Sequence, residues 1–201
     1  MKAIALLSGG LDSTVSMLLA REEAEVILAL TIDYGQRAAL REIEYSRDIC
    51  REYGIAHRVV ELPFMKEFHS GLMEDSGLTV DQPWVPNRNG LFLNLAAAFA
   101  EDRGAGLVIC GFNREEGIDF PDNSREYVEC VNQSLSFSTK NGVRVISRVQ
   151  GMDKVEIYKA AARLGLKTDR MWSCYLGGVK PCNACPSCLR NLEALKKAGV
   201  V

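Results

Sequence analysis

Short apolar runs that do not alternate with polar residues recur along this chain, each followed by a longer stretch with helical spacing. A strand that is apolar on both faces needs cover on both, so the pattern predicts a parallel sheet with helices above and below it. Five runs qualify, over residues 2–7, 25–33, 57–62, 106–111 and 143–149. Helices are expected over 12–23, 37–53, 91–102, 124–137 and 153–164. Asp153, with Glu156 three residues on, is close to a capping box for the last of these, and Val155, Tyr158 and Ala162 share one face of it. The expected fold class is α/β, a doubly wound five-stranded parallel sheet.

Composition narrows the function classes. The 201 residues carry 24 basic and 26 acidic side chains, a formal charge of −2, and 47% of them are apolar. That balance supports one sizeable core and argues against disorder. It also lacks the basic excess of a broad nucleic-acid surface, so no direct nucleic-acid partner is expected. No apolar stretch approaches a membrane span, and the first run, Ala3 to Leu7, is too short for a signal-peptide core. No membrane partner and a cytoplasmic location are therefore expected. An odd count of seven cysteines in such a chain argues against a disulfide framework.

Two segments break the strand–helix rhythm. Residues 63–90 form a long connection with three prolines, three glycines and little periodicity, and such a loop is usually functional or mobile. Residues 167–201 hold four crowded cysteines. The expected organisation is an α/β domain over 1–166, with 167–201 as a small C-terminal zinc-binding module packed on it.

Ser8-Gly9-Gly10-Leu11-Asp12-Ser13 lies directly between the first strand and the first helix. In doubly wound sheets ligands bind beyond the carboxyl ends of the strands, and this turn is a usual place. Paired glycines leave backbone N–H groups free to point at an anion, and the helix N-terminus adds favourable potential for phosphate. Ser8 and Ser13 can donate to phosphate oxygens, while Asp12 can cap the helix or hold a metal ion. A plain glycine turn capped by Asp12 or Ser13 is the alternative. Neither the Walker A lysine nor the GxGxxG fingerprint is present.

Cys174-x7-Cys182-x2-Cys185-x2-Cys188 brings four thiols close enough in sequence to close on one tetrahedral ion. Zinc is the leading expectation, one ion per chain, and an iron–sulfur cluster is the rival, because tight cysteine runs hold clusters too. Cys50, Cys110 and Cys130 stand apart as bystanders. Val85-Pro86-Asn87-Arg88-Asn89-Gly90 closes the long connection. Asn89 reads there as a helix N-cap, and Arg88 as a bidentate partner for a carboxylate or phosphate.

The first loop resembles the pyrophosphate-binding loop of the PP-loop ATP pyrophosphatases. Taken with Ile32-Asp33-Tyr34-Gly35-Gln36-Arg37, the VPNRN segment and the late cluster opening Cys174-Tyr175, the chain resembles the 7-cyano-7-deazaguanine synthase family of queuosine biosynthesis nearly end to end. The resemblance implies ATP-dependent conversion of 7-carboxy-7-deazaguanine and ammonia into a nitrile through an adenylated carboxylate, with ATP, Mg2+ and Zn2+ as cofactors and a homodimer as the assembly. It implies nucleotide contacts from Ser8, Gly9, Gly10, Leu11, Asp12, Ser13, Thr14 and Asp33. Catalytic roles fall to Asp12, Ser13 and Arg88, substrate contacts to Arg88, Asn89 and Asp122, and metal ligation to Cys174, Cys182, Cys185 and Cys188. In one place the chain departs from the pattern: Phe120-Pro121-Asp122-Asn123 stands where the family commonly has Tyr-Pro-Asp-Cys. The turn and one carboxylate survive, while a hydroxyl and a thiol are lost.

His57 and His69 have no partner pattern and are expected in packing or surface roles. Trp84 and Trp172 are expected to pack, Trp84 being the better candidate to stack on a base. The rival functions are a tRNA sulfur transferase, a deazapurine transferase and a zinc-ribbon nucleic-acid-binding regulator.

Overall fold

The computed structural model describes residues 1–73 and 79–200. Strands β1 (Lys2–Leu6), β2 (Glu25–Asp33), β3 (His57–Glu61), β4 (Leu107–Cys110) and β5 (Arg144–Ser147) pair in parallel in the order β3-β2-β1-β4-β5. The order reverses beside β1, so the chain leaves β1 and β4 toward opposite faces of the sheet and opens a crevice at their carboxyl ends. The helices are α1 (Leu11–Ala20), α2 (Ala39–Tyr53), α3 (Arg88–Asp102), α4 (Arg114–Asp119), α5 (Arg125–Ser138), α6 (Lys154–Arg163) and α7 (Pro186–Ala198).

The strands' alternation divides the core into two layers. Ala3, Ala5, Val26 and Ala29 meet α1 and α2 on one face, with Met17 and Ile49. Ile4, Leu28, Leu30, Val108 and Val145 meet α3 and α5 on the other, with Leu93, Ala97 and Leu135. Helices α6 and α7 extend the first face, where Val15, Ile157, Ala161 and Ala194 form a third cluster. The doubly wound sheet expected from the apolar runs is present.

Boundaries differ where local chemistry overrides periodicity. Helix α3 begins at Arg88 rather than Leu91, and its N-cap is Asn87, not Asn89. Asn87 sits in the left-handed region at φ 51, which asparagine tolerates better than most residues. Asn89 is instead a buried residue of the first turn. Gly90, expected to be the loop exit, lies inside the helix, and glycine is required there because a Cβ would meet Asn87 Oδ1 at 2.3 Å and Tyr127 Oη at 2.7 Å. Helix α6 has the full reciprocal capping box of Asp153 and Glu156, and α2 ends at Gly54 in the left-handed conformation.

Helices α4 and α7 carry no clean sequence signal. The apolar pattern of α7 even misleads, since Leu189 and Leu192 are exposed while Cys188, Asn191 and Ala194 face inward. The Tyr158 hydroxyl donates to Asn191 Oδ1 at 3.0 Å across the α6–α7 seam. The long connection is anchored rather than loose at both ends: Met65, Leu72, Met73 and Val85 are buried in the main core. Its stretch 74–78 lies outside the described residues.

Candidate active site

The phosphate-loop candidate is built by one tight bend. Gly9 adopts φ +71, and a Cβ there would also meet Tyr45 Cβ at 2.8 Å, so both backbone and space demand glycine. Gly10 is the N-cap of α1 and no side chain caps it, which leaves the first-turn amides facing the crevice. Ser13 Oγ accepts from Ser8 N at 3.3 Å, lies 3.2 Å from Ser8 Oγ and donates to the Gly10 carbonyl at 3.3 Å. Thr14 Oγ1 donates to the same carbonyl at 2.7 Å. The serine hydroxyls thus hold the bend in shape while remaining at the mouth of the cleft.

Beside the loop lies a charged group that local sequence did not reveal. Lys154 Nζ meets Asp12 Oδ2 at 2.5 Å, and Asn113 Nδ2 donates to the same oxygen at 3.3 Å. Asp12 Oδ1 is buried and has no partner. Burial alone would weaken the charge on Lys154, but the Asp12 and Glu116 carboxylates outweigh it and hold the ammonium above the usual lysine range. Glu116 is pushed up by burial and by Asp12, against the pull of Lys154 and Arg190. Lys154 opens α6, and Asn113 caps α4 through Glu116 N at 2.9 Å. The group therefore joins the ends of β1, β4 and β5.

The opposite wall is aromatic and cationic. Arg88 Nη1 donates to Tyr34 Oη at 3.2 Å, and its Nε donates to Asn89 Oδ1 at 3.3 Å. Burial works against the Arg88 charge, yet Tyr34 and Asp122 outweigh it and raise its affinity for the proton. Burial pushes the Tyr34 phenol up to about 12. It also pushes Glu42 up to about 7, although Gln36 Nε2 donates to Glu42 Oε2 at 2.7 Å. Burial raises Asp122 as well, with Arg88 pulling back. Trp84 and Phe120 stack nearly parallel, 15° apart with centroids separated by 6.3 Å.

These groups line one cleft of about 280 Å³ at the β1–β4 divergence. Ser8, Gly10, Leu11, Asp12, Ser13, Arg88, Asn89 and Asp122 all border it. Three expected residues stand differently. Gly9 turns its carbonyl to Trp172 N at 2.8 Å. Thr14 is buried against Gly10, and Asp33, outside the cleft lining, accepts through Oδ1 from Gly35 N at 3.0 Å. Neither Asp12 nor Ser13 caps α1, whose N-cap Gly10 receives no side-chain bond. The cleft also takes in Glu42, Cys110, Glu116, Lys154 and Tyr175. Of these, Lys154 had the clearest available clue, a cation at the first turn of a helix that follows a strand.

His57 Nε2 lies 2.8 Å from Thr31 Oγ1, which itself donates to the Leu7 carbonyl, and His69 is exposed. Both histidines thus serve packing or surface. Trp172 is buried, donates through Nε1 to the Cys174 carbonyl at 2.8 Å and borders the cleft. Cys110 borders the cleft, and burial pushes its thiol up to about 12.

The four late cysteines converge as their spacing predicted. Their Sγ atoms all lie within 4.8 Å of one another, and Cys182 and Cys188 are 3.9 Å apart. One tetrahedral ion with S ligands at about 2.3 Å needs sulfurs about 3.8 Å apart, so the set fits a metal ion. Backbone amides support the sulfurs: Leu176 N and Cys182 N donate to Cys174 Sγ at 3.4 Å, and Cys185 N to Cys182 Sγ at 3.2 Å. Burial would raise the Cys182 thiol, but the amides of Ala184 and Cys185 outweigh it and bring it to about 6.

Comparison with known proteins agrees with this geometry. The chain is 47% identical over 218 residues to a 7-cyano-7-deazaguanine synthase of Pelotomaculum thermopropionicum, covering 100% of this chain and 99% of that one. It is 48% identical over 209 residues to the namesake from Carboxydothermus hydrogenoformans, covering 96% and 97%. Among solved structures, the U34-tRNA thiolase NcsA of Methanococcus maripaludis with its [4Fe-4S] cluster shares the fold at a TM-score of 0.58 and 17% identity. That match covers 98% of this chain and 67% of the thiolase. The family described as "Queuosine biosynthesis protein QueC" matches residues 2–199. With the loop, the cleft and the cysteine cluster in their places, the chain belongs to the QueC family of queuosine biosynthesis proteins.

Proposed function

We propose that the protein is a carbon–nitrogen ligase that converts 7-carboxy-7-deazaguanine, ATP and ammonia into 7-cyano-7-deazaguanine. The observation that carries the reading is the convergence, in one cleft, of an uncapped helix N-terminus with Lys154 on one side and Arg88, Asn89 and Asp122 on the other. The first half is suited to the phosphates of ATP, the second to a small planar acid.

A carboxylate is a poor electrophile until its oxygen becomes a good leaving group. Its oxygen attacks the α phosphorus, pyrophosphate departs, and ammonia then displaces AMP to leave an amide. The amide oxygen is activated again and lost, giving the nitrile. The α1 amides, Ser8 and Ser13 face the departing pyrophosphate, and preorganised donors of this kind act where charge develops. Lys154 supplies a buried cation to the same charge. Arg88 holds the substrate carboxylate, and Asn89 and Asp122 contact the ring. Asp33 and the backbone of Gly9, Gly10, Leu11 and Thr14 shape the nucleotide side.

Asp12 Oδ1, buried without a partner, fits a Mg2+ ligand, and the ion would supply neutralisation of the phosphates there. For the cysteine cluster we read one zinc ion per chain. The sulfurs are spaced for a single ion, whereas a cluster's ligands each bind a different iron and stand farther apart. Residues 167–201 are then a metal-organised module packed on the 1–166 domain, supported by the Gly9–Trp172 bond and the α6–α7 seam. A homodimer in the cytoplasm is part of the same reading; no described helix is long and apolar enough to cross a membrane. The sulfur-transfer alternative is disfavoured by the relatives at 47–48% identity, which are 7-cyano-7-deazaguanine synthases.

The test is incubation with ATP, Mg2+, ammonium and 7-carboxy-7-deazaguanine, followed by mass analysis. Nitrile with AMP and pyrophosphate is expected. ADP as the nucleotide product, or no nitrile, would overturn the proposal.

A further inference from the structure

Helix α4 carries Glu116 into the cleft and leads on to Phe120 and Asp122 in its wall, yet none of its six residues is buried. A helix this short, with no apolar face packed away, depends on polar ties for its position. Its N-cap Asn113 donates to Asp12 Oδ2 at 3.3 Å. Arg114 ties it to the approach to α6, donating to the Gly151 carbonyl at 2.9 Å and to Asp153 Oδ2 at 2.8 Å. A third tie comes from α7: Arg190 Nη2 donates to Asp119 Oδ2 at 3.3 Å, and its Nη1 lies 3.7 Å from Glu116 Oε1. The start of α7 is in turn set by the thiol cluster, because Cys185 is its N-cap and accepts from Cys188 N at 3.5 Å.

We infer that Arg190 is a positioning residue that ties α4 to the cysteine-anchored α7 and keeps Glu116 and Asn113 in register with Lys154 and Asp12. Charges alternate along the line Asp119, Arg190, Glu116, Lys154, Asp12, which runs from the end of α4 to the first turn of α1. Three cations face Glu116: Lys154, Arg190 and Arg88. Lys154 and Arg88 border the cleft, and Arg190 stands outside its lining, so Arg190 touches no substrate there. Its guanidinium instead holds the Glu116 carboxylate from behind. Without that hold, Glu116 is left to the two cations of the cleft and draws on the charge that Lys154 offers to the departing pyrophosphate. None of the four late cysteines borders the cleft, so the thiol cluster acts on it through the helix it anchors.

The inference rests on the adenylation reading, and its test separates the two. Arg190→Ala, Arg190→Lys, Asp119→Ala and the double alanine variant are assayed for kcat and KM, for metal content, and for amide exchange in α4. The probes there are Gly117 N and Phe120 N, which donate to the Asn113 and Glu116 carbonyls. Arg190→Ala is expected to lower kcat about 5-fold, the upper end for a partly exposed ion pair, with KM for ATP and metal content unchanged. The two α4 amides should exchange about 5-fold faster. Arg190→Lys should restore most of kcat, since a lysine still reaches one of the two acids. Asp119→Ala, at an exposed side chain outside the cleft, should lower kcat about 2-fold and add nothing to Arg190→Ala, as a shared tie requires. It reads the same tie even if Arg190→Ala does not fold. Wild-type kcat in Arg190→Ala, an equal loss in Arg190→Lys, full additivity in the double variant, or loss of metal would overturn the positioning role. A wild-type protein that forms no nitrile would refute the reaction, and the exchange of the α4 amides would still decide the tie.

Discussion

Gly111→Ala tests whether the closeness of β4 to α1 governs the phosphate loop. A Cβ at residue 111 would lie 2.5 Å from Ser13 N, 2.6 Å from Ser13 Cα and 2.9 Å from the Asp12 carbonyl carbon. All three are backbone atoms of the first turn of α1, so no rotamer relieves the overlap. Restoring ordinary contact requires β4 and α1 to part by about 1 Å, and overpacking of this kind costs about 1–3 kcal/mol. For a chain of this length that is roughly 3–9 °C in Tm. The same displacement carries the amides and hydroxyls that border the cleft, and a 1 Å misplacement of such a constellation costs about 100-fold in rate. The assay is pyrophosphate release under saturating substrates, run beside a thermal melt. Gly151→Ala is the control, since a Cβ there meets nothing within 4 Å and its φ is ordinary. A Gly111→Ala protein with wild-type turnover and an unshifted Tm would refute the reasoning.

Lys154→Met keeps the buried stem and removes the charge, so turnover should fall about 100-fold or more, the scale of losing one preorganised donor to developing charge. Circular dichroism should show the fold retained, and full pyrophosphate release would remove Lys154 from the chemistry. Cys185→Ser should release the metal, read by elemental analysis. It should also red-shift emission from Trp172, which packs in the cysteine cluster and bonds the Cys174 carbonyl. Unchanged metal content would exclude Cys185 from the ligand set. Glu42, lifted by burial from an ordinary 4.5 to about 7, makes the native state bind more protons than the unfolded chain in that window. Stability of the ligand-free protein should therefore fall as pH rises from 4.5 to 7, and Glu42→Gln should flatten that part of the profile in urea melts. An identical slope in the variant would assign the effect elsewhere.

Much of the fold and part of the site are legible in the sequence. Unalternating apolar runs announced strands covered on both faces, and the glycine pair after the first run marked the turn that borders the cleft. The cysteine spacing announced the convergence of four thiols. Each of these signals is complete within a few residues of chain. What stayed illegible was what distant segments impose on one another. Asn89 looked like a cap because local grammar places asparagine there, yet the left-handed turn at Asn87 took that role and sent Asn89 into the cleft. Helix α7 displays Leu189 and Leu192 outward because Cys188, Asn191 and Ala194 are needed inward, which no hydrophobic stripe reveals.

The chain's order of residues alone thus determined the sheet, the loop and the thiolate set, because periodicity, turn geometry and ligand spacing are properties of neighbours. Only the folded structure decided that Lys154 meets Asp12, that Gly111 presses on Ser13, and that Phe120 faces Trp84. Those pairs join the ends of strands far apart in sequence, and their distances are set by how the twisted sheet brings its carboxyl edges together.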